Sequence, residues 1–200
     1  MMVVMNNATS KKSASNRKEM THTRIVETAA RAIRRSGYDG TGVADIMKEA
    51  GLTHGGFYAH FSSRDAMLAE AADRAGEDTI AIAKKVLAEA PADQALQALM
   101  HVYLSNEHMA NIETGCSLAA LGSEMPRQAS EVRTASTCRV KEMVALIKSR
   151  LPDDESEANQ KALVMFSTMV GTLLLARAVD DPELSEAFRQ AALKHYDAKT

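Results

Sequence analysis

Residues 41–64 read TGVADIMKEAGLTHGGFYAHFSSR, and their pattern indicates two short helices joined by a tight turn. Apolar side chains recur at the i, i+3, i+4, i+7 spacing of one helical face at Val43, Ile46, Met47 and Ala50. Thr41 precedes this face as a candidate N-cap, and Gly51 follows it where a helix end favours a left-handed residue. We expect a second helix of about two turns near residues 53–60. Together these features match a helix-turn-helix unit, whose second helix can lie in the major groove of DNA.

Small or polar side chains occupy the outward positions of this unit, so the backbone can approach a groove closely. Phe57 and Phe61 are expected to anchor its inner side, and Ser62 to cap the next helix. Residues suited to phosphate oxygens or base edges are Thr41, Thr53, His54, Gly55, Gly56, Tyr58, His60 and Arg64. Spacing alone leaves a second interpretation open, a helical hairpin inside an all-α core that contacts no DNA.

A wider set of residues around this unit forms a specific pattern: Gly37-Tyr38, Thr41, Ile46, Ala50-Gly51, Gly55, Tyr58, His60-Phe61 and Leu68. In order and spacing, residues 23–68 closely resemble the N-terminal domain of the tetracycline-repressor (TetR) family of transcriptional regulators. The resemblance implies a homodimer that represses transcription from palindromic double-stranded operator DNA and is released by a small molecule. It also implies DNA-contact positions at Gly42 and Gly56, where the family often carries Ser or Thr, and His54 takes a position that is often basic.

The charge of the chain is divided unevenly along its length. Residues 1–64 hold ten Lys/Arg and five Asp/Glu, a net charge of +5, and residues 65–200 hold fourteen and twenty-one, a net charge of −7. A basic N-terminal part on an acidic remainder is typical of a DNA-binding head on a body that does not bind DNA. Basic residues on ordinary solvated faces are the alternative.

The sequence predicts an all-α fold of about nine helices in three regions. Residues 1–20 are polar and lack helical periodicity, which predicts a disordered basic arm that either tracks phosphates or is simply solvated. Residues 21–66 are expected to form the helix-turn-helix DNA-binding domain, and residues 67–200 a helical effector-binding and dimerisation domain. No signal peptide and no apolar stretch of ~18 residues is recognised, so we expect a cytoplasmic protein without membrane contact.

Individual helices are expected at residues 23–36, 63–89, 93–106, 116–124 and 132–151, followed by an apolar one around 163–176 and a last one from Pro182. In the long helix 63–89, Ile82 is expected to face inward with Leu68, Ala72, Ala75, Val86 and Leu87. Asp181 and Pro182 form a strong helix start, because an acidic cap precedes a proline in the first turn.

Residues 163–176, LVMFSTMVGTLLLA, are nearly uncharged, and a monomer of this size would struggle to bury them together with the apolar face of the last helix. Pairing with a second copy would cover both, as the resemblance also implies. The candidate dimer-interface residues are Phe166, Val170, Gly171, Leu174, Ala178, Leu184 and Phe188. The alternative is that this run is the central core helix of a monomer.

A methionine-rich interior with a few polar groups predicts a site for an apolar or aromatic effector. The candidate effector-binding residues are Met100, His101, Tyr103, His108, Cys116, Met143, Phe166 and Met169. The Gly115-Cys116 step resembles a branch of the family in which some members sense electrophiles through cysteine. An inert, buried Cys116 is the alternative, because no Lys or Arg lies within five positions of it.

Catalytic motifs are lacking: there is no nucleophile elbow, phosphate-binding glycine loop or HExxH, so we predict neither an enzyme nor a cofactor. His101 and His108 are seven positions apart, with Glu107, Glu113 and Cys116 nearby. A metal site is not predicted, since no tight ligand pair such as CxxC accompanies them. A helical metal protein or enzyme without DNA binding is the rival class.

Overall fold

The computed structural model describes residues 6–151 and 154–197, and in this part of the chain all regular structure is helical. The nine α-helices of the described residues are α1 (Asn6–Ser36), α2 (Val43–Glu49), α3 (Arg64–Glu89), α4 (Ala95–Tyr103), α5 (Asn106–Ala110), α6 (Ser117–Leu121), α7 (Ser130–Lys148), α8 (Glu155–Ala178) and α9 (Pro182–Asp197). Two 3-10 helices are His54–Ala59, which we name the recognition segment, and Met125–Arg127. The predicted all-α fold is confirmed.

Helix α1 is longer than predicted, and residues 6–20 are not a disordered arm. They continue the helix without interruption, and the Thr21 hydroxyl donates to the carbonyl of Arg17 at 2.9 Å. No glycine or proline occurs between Asn6 and Ser36, so nothing local ends the helix. Residues 15–20 are exposed on every side, which explains why no apolar periodicity announced this part of the helix. Residues 1–5, the first part of the predicted arm, lie outside the described residues.

The turn after α2 forms as its glycine indicated. Gly51 has φ +71°, its N–H donates to the carbonyl of Lys48, and the N–H of Leu52 donates to that of Met47 at 2.8 Å. These two bonds are the Schellman motif, in which glycine takes the left-handed position at no steric cost.

Two predicted caps are wrong. Thr41 does not cap α2, whose N-cap is Gly42; the Thr41 hydroxyl is buried and donates to the carbonyl of Gly37 at 2.7 Å. Ser63, not Ser62, caps α3 by accepting from the N–H of Ala66 at 3.0 Å. The predicted cap of α9 is correct, since the Asp181 carboxylate accepts from two N–H groups of its first turn.

Helix boundaries in the middle of the chain also differ from expectation. Helix α4 ends at Tyr103, before the expected end at residue 106, and a separate short helix, α5, begins at Asn106 and extends into the segment where no helix was expected. Helix α8 begins at Glu155, well before the apolar run, because the Asp154 carboxylate caps it by accepting from the N–H of Ser156 at 2.9 Å.

The interior contains two apolar clusters. The first joins α1, α2, the recognition segment and the first half of α3 with Leu121 and Val132 from later in the chain. The second lies in the body between α3, α4, α7, α8 and α9. Because α3 contributes to both clusters, it connects the N-terminal head to the body as one continuous helix.

The residues Ser156–Ala178 of α8 are long and apolar enough to cross a membrane, with a mean hydropathy of 1.4, contrary to the expectation that no stretch reaches that level. A core helix of a soluble protein meets the same criterion. Here α8 packs against α7 and α9, and Met169 and Leu173 are completely buried in the body. The measure therefore gives only weak evidence for a membrane span.

Candidate DNA-binding surface and effector cavity

The recognition segment has an exposed polar edge on one side and buried aromatic side chains on the other. Thr53, His54 and Gly55 are exposed, and the Tyr58 side chain is 72% exposed. On the opposite side Phe57 and Phe61 are buried, with their rings stacked at 5.5 Å between centroids. The outward residues are thereby held by a buried aromatic pair, which limits their freedom before any ligand binds.

The two glycines of the segment differ in their surroundings. A Cβ atom at Gly55 would meet no atom within 4 Å, whereas one at Gly56 would lie 3.6 Å from the Met47 side chain. Gly55 therefore leaves an open, flat position at the surface, and Gly56 packs against α2.

Thr41 and Arg64, two candidate phosphate contacts, are turned toward the protein. The Arg64 guanidinium donates to the carbonyl of Tyr38 and, at 3.2 Å, to that of Thr41. These bonds tie the loop before α2 to the first turn of α3. Arg64 therefore positions the head, and the Thr41 hydroxyl is already engaged within it. Gly42 is half-buried, with the Asp45 carboxylate on the side where a Cβ would lie.

His60 is half-buried beside α1, where His22 stacks on Phe61 with 4.5 Å between ring centroids. Burial lowers the pKa of His60, and the nearby His22 and Lys18 lower it further. The imidazole is therefore neutral at pH 7 and offers hydrogen bonds, not charge. Lys18, one of the basic residues of the predicted N-terminal arm, lies on the helical extension of α1 and is an exposed cation beside the recognition segment. The absence of glycine and proline from residues 6–36 was the feature of the sequence that could have predicted this helical extension.

A cavity of about 230 Å³ lies in the body between α3, α4, α5 and the loop before α6. Four candidate effector residues line it: Tyr103, His108, Cys116 and Met143. The other four do not. Met100, Phe166 and Met169 are buried in the body cluster, and exposed His101 faces Asp197 at 3.1 Å.

Exposed apolar residues of the cavity were missed by the sequence analysis. Ile82, expected to face inward, is 49% exposed and lines the cavity together with Val102. Both stand on the partly solvated faces of their helices, where periodicity predicts polar residues. An apolar residue out of phase with the buried stripe was thus the signal of a cavity wall.

His108 ties the walls of the cavity together. Its Nδ1 lies 2.6 Å from the Tyr103 carbonyl oxygen, and its Nε2 lies 2.9 Å from the backbone nitrogen of Cys116. Because a carbonyl accepts and an N–H donates, these partners assign the proton to Nδ1 and leave Nε2 as the acceptor. Burial lowers the pKa of His108, which favours this neutral form. A Cβ at Gly115 would lie 2.8 Å from the imidazole, so only glycine fits there.

Two buried donors near the cavity have no hydrogen-bond partner. Tyr103 is 4% exposed, and its hydroxyl makes no hydrogen bond of regular geometry, although the Cys116 sulfur lies close enough to act on it. Burial, and to a smaller extent Cys116, raise the pKa of Tyr103 well above the usual range, which keeps the hydroxyl protonated. Arg177 donates to the carbonyls of His108 and Met109, yet its Nη1 is unpaired. No carboxylate forms an ion pair with Arg177 in residues 6–151 and 154–197.

Cys116 is buried and lies in the cavity wall, whereas Cys138 is exposed on α7. Burial lowers the pKa values of Arg34 and Arg177, and in both cases the Cys116 sulfur opposes this effect. Two guanidinium groups therefore lie near a thiol that has no cationic neighbour in sequence. Among the described residues, no group of three His, Cys, Asp or Glu side chains is arranged to hold a metal ion.

The chain is similar to known regulators over most of its length. A family model described as bacterial regulatory proteins, tetR family, matches residues 25–71. An uncharacterized HTH-type transcriptional regulator of Mycobacterium tuberculosis is 30% identical over 169 residues, which cover 79% of this chain and 84% of that protein. The chain belongs to the TetR family. It is therefore a DNA-binding transcriptional regulator and not an enzyme.

Solved structures of TetR-family and related proteins share the fold. A TetR transcriptional regulator from Chloroflexus aurantiacus superposes with a TM-score of 0.75 at 24% identity, covering 90% of this chain and 96% of that one. The reduced form of NemR from E. coli gives 0.72 at 20% identity, covering 88% and 94%. The likeness therefore extends from the head through the whole helical body of this TetR-family chain.

An apolar face remains uncovered on α8 and α9 of the TetR-family chain. Leu175 and Leu184 are each 44% exposed, Ala178 is exposed, and a Cβ at Gly171 would meet no atom within 4 Å. Val170, Leu174 and Phe188 are half-buried at its border. Phe166 does not belong to this face, because it is buried in the body cluster. Val164, which we did not list as an interface candidate, is 55% exposed. The dimer interface stays a prediction.

Proposed function

We propose that this chain is a cytoplasmic homodimeric repressor whose affinity for a palindromic operator falls when a small molecule occupies the cavity. The observation that carries the proposal is the exposed polar edge of the recognition segment above its buried aromatic pair. In the proposed complex each recognition segment lies in a major groove, and the two half-sites are one helical turn, ~34–36 Å, apart.

Base reading in this proposal rests on few side chains. Thr53 and His54 are the exposed groups at the start of the segment, and Gly55 permits close approach of the backbone. Tyr58 and Lys18, both exposed, are expected to reach phosphate oxygens at the flanks of this contact. DNA shape would then supply part of the sequence preference, since side-chain contacts with base edges are limited.

Arg34 offers a route by which the cavity can influence the head. This α1 side chain, 1% exposed, donates to the carbonyls of Ala75 at 3.2 Å and Gly115 at 3.4 Å and pairs with Asp78 at 3.1 Å. Gly115 lies in the cavity wall. A molecule that displaces this wall would shift a direct contact of α1. For net release, the effector has to bind the released conformation more tightly than the operator-bound one.

Tyr58→Phe is expected to weaken binding to all DNA sequences alike, by roughly three- to tenfold, because one phosphate hydrogen bond is lost. His54→Ala is expected instead to change the preferred sequence. Both are measured by fluorescence anisotropy on operator and scrambled duplexes at several salt concentrations. Tyr38→Phe is the matched control, since Tyr38 is fully buried in the head. Unchanged affinity with Tyr58→Phe would mean that Tyr58 does not reach DNA.

A second candidate mechanism, control through Cys116, is favoured by the two guanidinium groups near this cysteine. N-ethylmaleimide is then expected to release operator from the Cys138→Ser variant, which lacks the exposed thiol, and to have no effect when Cys116→Ser is added. Equal release from both variants would exclude Cys116 as the sensor and leave control to a reversibly bound molecule.

A further inference from the structure

We infer that the cavity takes a small, mostly apolar organic acid whose carboxylate accepts hydrogen bonds at the Tyr103 end. This inference rests on the proposed function, because it treats the cavity as the effector site. It adds the chemical class of the effector, which the shape of a helical body alone does not specify.

Hydrogen-bond donors are left without partners beside the cavity. Within residues 6–151 and 154–197, the buried polar atoms without a hydrogen-bond partner near the cavity include the Tyr103 hydroxyl and the Arg177 Nη1, and both are donors. The Nε of Arg34, behind the wall at Gly115, is a donor as well. The acceptor nitrogen of His108, Nε2, is already occupied by the N–H of Cys116. Buried donors without partners carry a desolvation penalty, because the hydrogen bonds that they made to water are not replaced. A ligand that removes this penalty has to supply acceptor oxygens.

The two donors converge on one residue. The Tyr103 ring stands edge-on to the His108 ring at 4.8 Å between centroids, and the Arg177 guanidinium donates to the backbone carbonyl of His108. Burial raises the pKa of Tyr103, and the charge of Arg177 acts in the opposite direction, as expected for neighbouring groups. One carboxylate is a suitable partner for such a pair, because it offers two oxygens.

Charge favours an acid over a neutral acceptor. Arg177 is partly buried and has only carbonyl partners, whereas Arg34 and Arg189, the other two guanidinium groups that the body buries, pair with Asp78 and Glu186. An unpaired cation in a poorly solvated site is stabilised when an anion binds beside it. Glu107 also lines the cavity, but its side chain is exposed to solvent, which screens its repulsion.

Size and lining set the rest of the ligand. An apolar cavity of about 150 Å³ accommodates benzene, so 230 Å³ suits a single substituted ring or a short branched chain. Leu99, Val102 and Met143 offer apolar contacts for that body. The cavity is too small for a ligand with several fused rings unless its walls move.

The test is titration calorimetry of the full-length protein with sodium benzoate and with its neutral ester, methyl benzoate, at pH 7.5. Benzoate is expected to bind at least about tenfold more tightly than the ester. Tyr103→Phe should weaken benzoate binding roughly ten- to a hundredfold, the usual effect of removing a hydrogen bond to a charged group. Its melting temperature should stay nearly unchanged, because the lost hydroxyl makes no hydrogen bond of regular geometry in the protein.

Tyr38→Phe is the matched control, since it removes another buried, unpaired tyrosine hydroxyl far from the cavity, in the head. It should leave benzoate binding unchanged. Absence of benzoate binding, equal binding by Tyr103→Phe, or an ester that binds as tightly would each overturn the inference.

Operator binding is measured separately by anisotropy, so the two proposals fail in different ways. If the ester releases operator and benzoate does not bind, the ligand class is wrong and the repressor mechanism stands. If benzoate binds through Tyr103 and leaves operator affinity unchanged, the ligand class stands and control by the cavity is wrong.

Discussion

Leu175→Glu is expected to convert the protein into a folded monomer with most of its operator affinity lost. Leu175 is 44% exposed on the apolar face of α8, near the open position at Gly171. A two-fold interface would bury the new carboxylate twice, and an unpaired buried charge is not tolerated. Losing the second head removes bivalent binding, which lowers affinity by roughly 10²- to 10⁴-fold.

Sedimentation velocity and anisotropy on an operator duplex measure the two effects together. Ala145→Glu is the matched control, because it adds the same charge at an exposed position on another helix, α7, and should keep a dimer. Circular dichroism checks that the Leu175→Glu chain remains helical. We expect it to, because the Leu175 side chain is 44% exposed in the monomer. A Leu175→Glu protein that still sediments as a dimer would place the interface elsewhere.

Arg34→Met is expected to lower the free energy of unfolding by roughly 1–3 kcal/mol and to abolish the response of operator binding to the effector. Methionine retains the apolar bulk of the buried side chain but not its hydrogen bonds to Ala75, Gly115 and Asp78. The free energy of unfolding is expected to fall by less than when an isolated buried ion pair is broken, because the Asp78 carboxylate keeps its contact with Arg74 at 3.0 Å. Urea unfolding measures the first effect.

The second effect is measured by operator anisotropy with and without the effector. Arg35→Met is the matched control: its side chain is 42% exposed, with ion pairs to Glu49 and Glu113. Exposed pairs contribute up to about 1 kcal/mol, and Arg35 makes no contact with the cavity wall at Gly115, so the response should persist. Equal losses from both variants would remove Arg34 from the coupling route.

Local signals determined most of the helical architecture. The helix-turn-helix unit was predictable because Gly51, the apolar spacing of α2 and the Phe57/Phe61 pair act within a few positions of one another. The same applies to the cap of α9 at Asp181. Such signals failed where no local residue marked an end, so the helical extension of α1 before Thr21 was missed.

Only the tertiary structure decided which chemistry the helices bring together. Arg34 meets Gly115 across 81 positions, and Arg177 reaches the carbonyl of Met109 across 68. These contacts place two cations near Cys116, although its sequence neighbours include none. Helical periodicity tells which face of a segment is apolar, but not which distant face covers it. For that reason the sequence predicted a regulator with an effector site, and packing selected Tyr103, His108 and Cys116 for the cavity and buried Phe166 in the core.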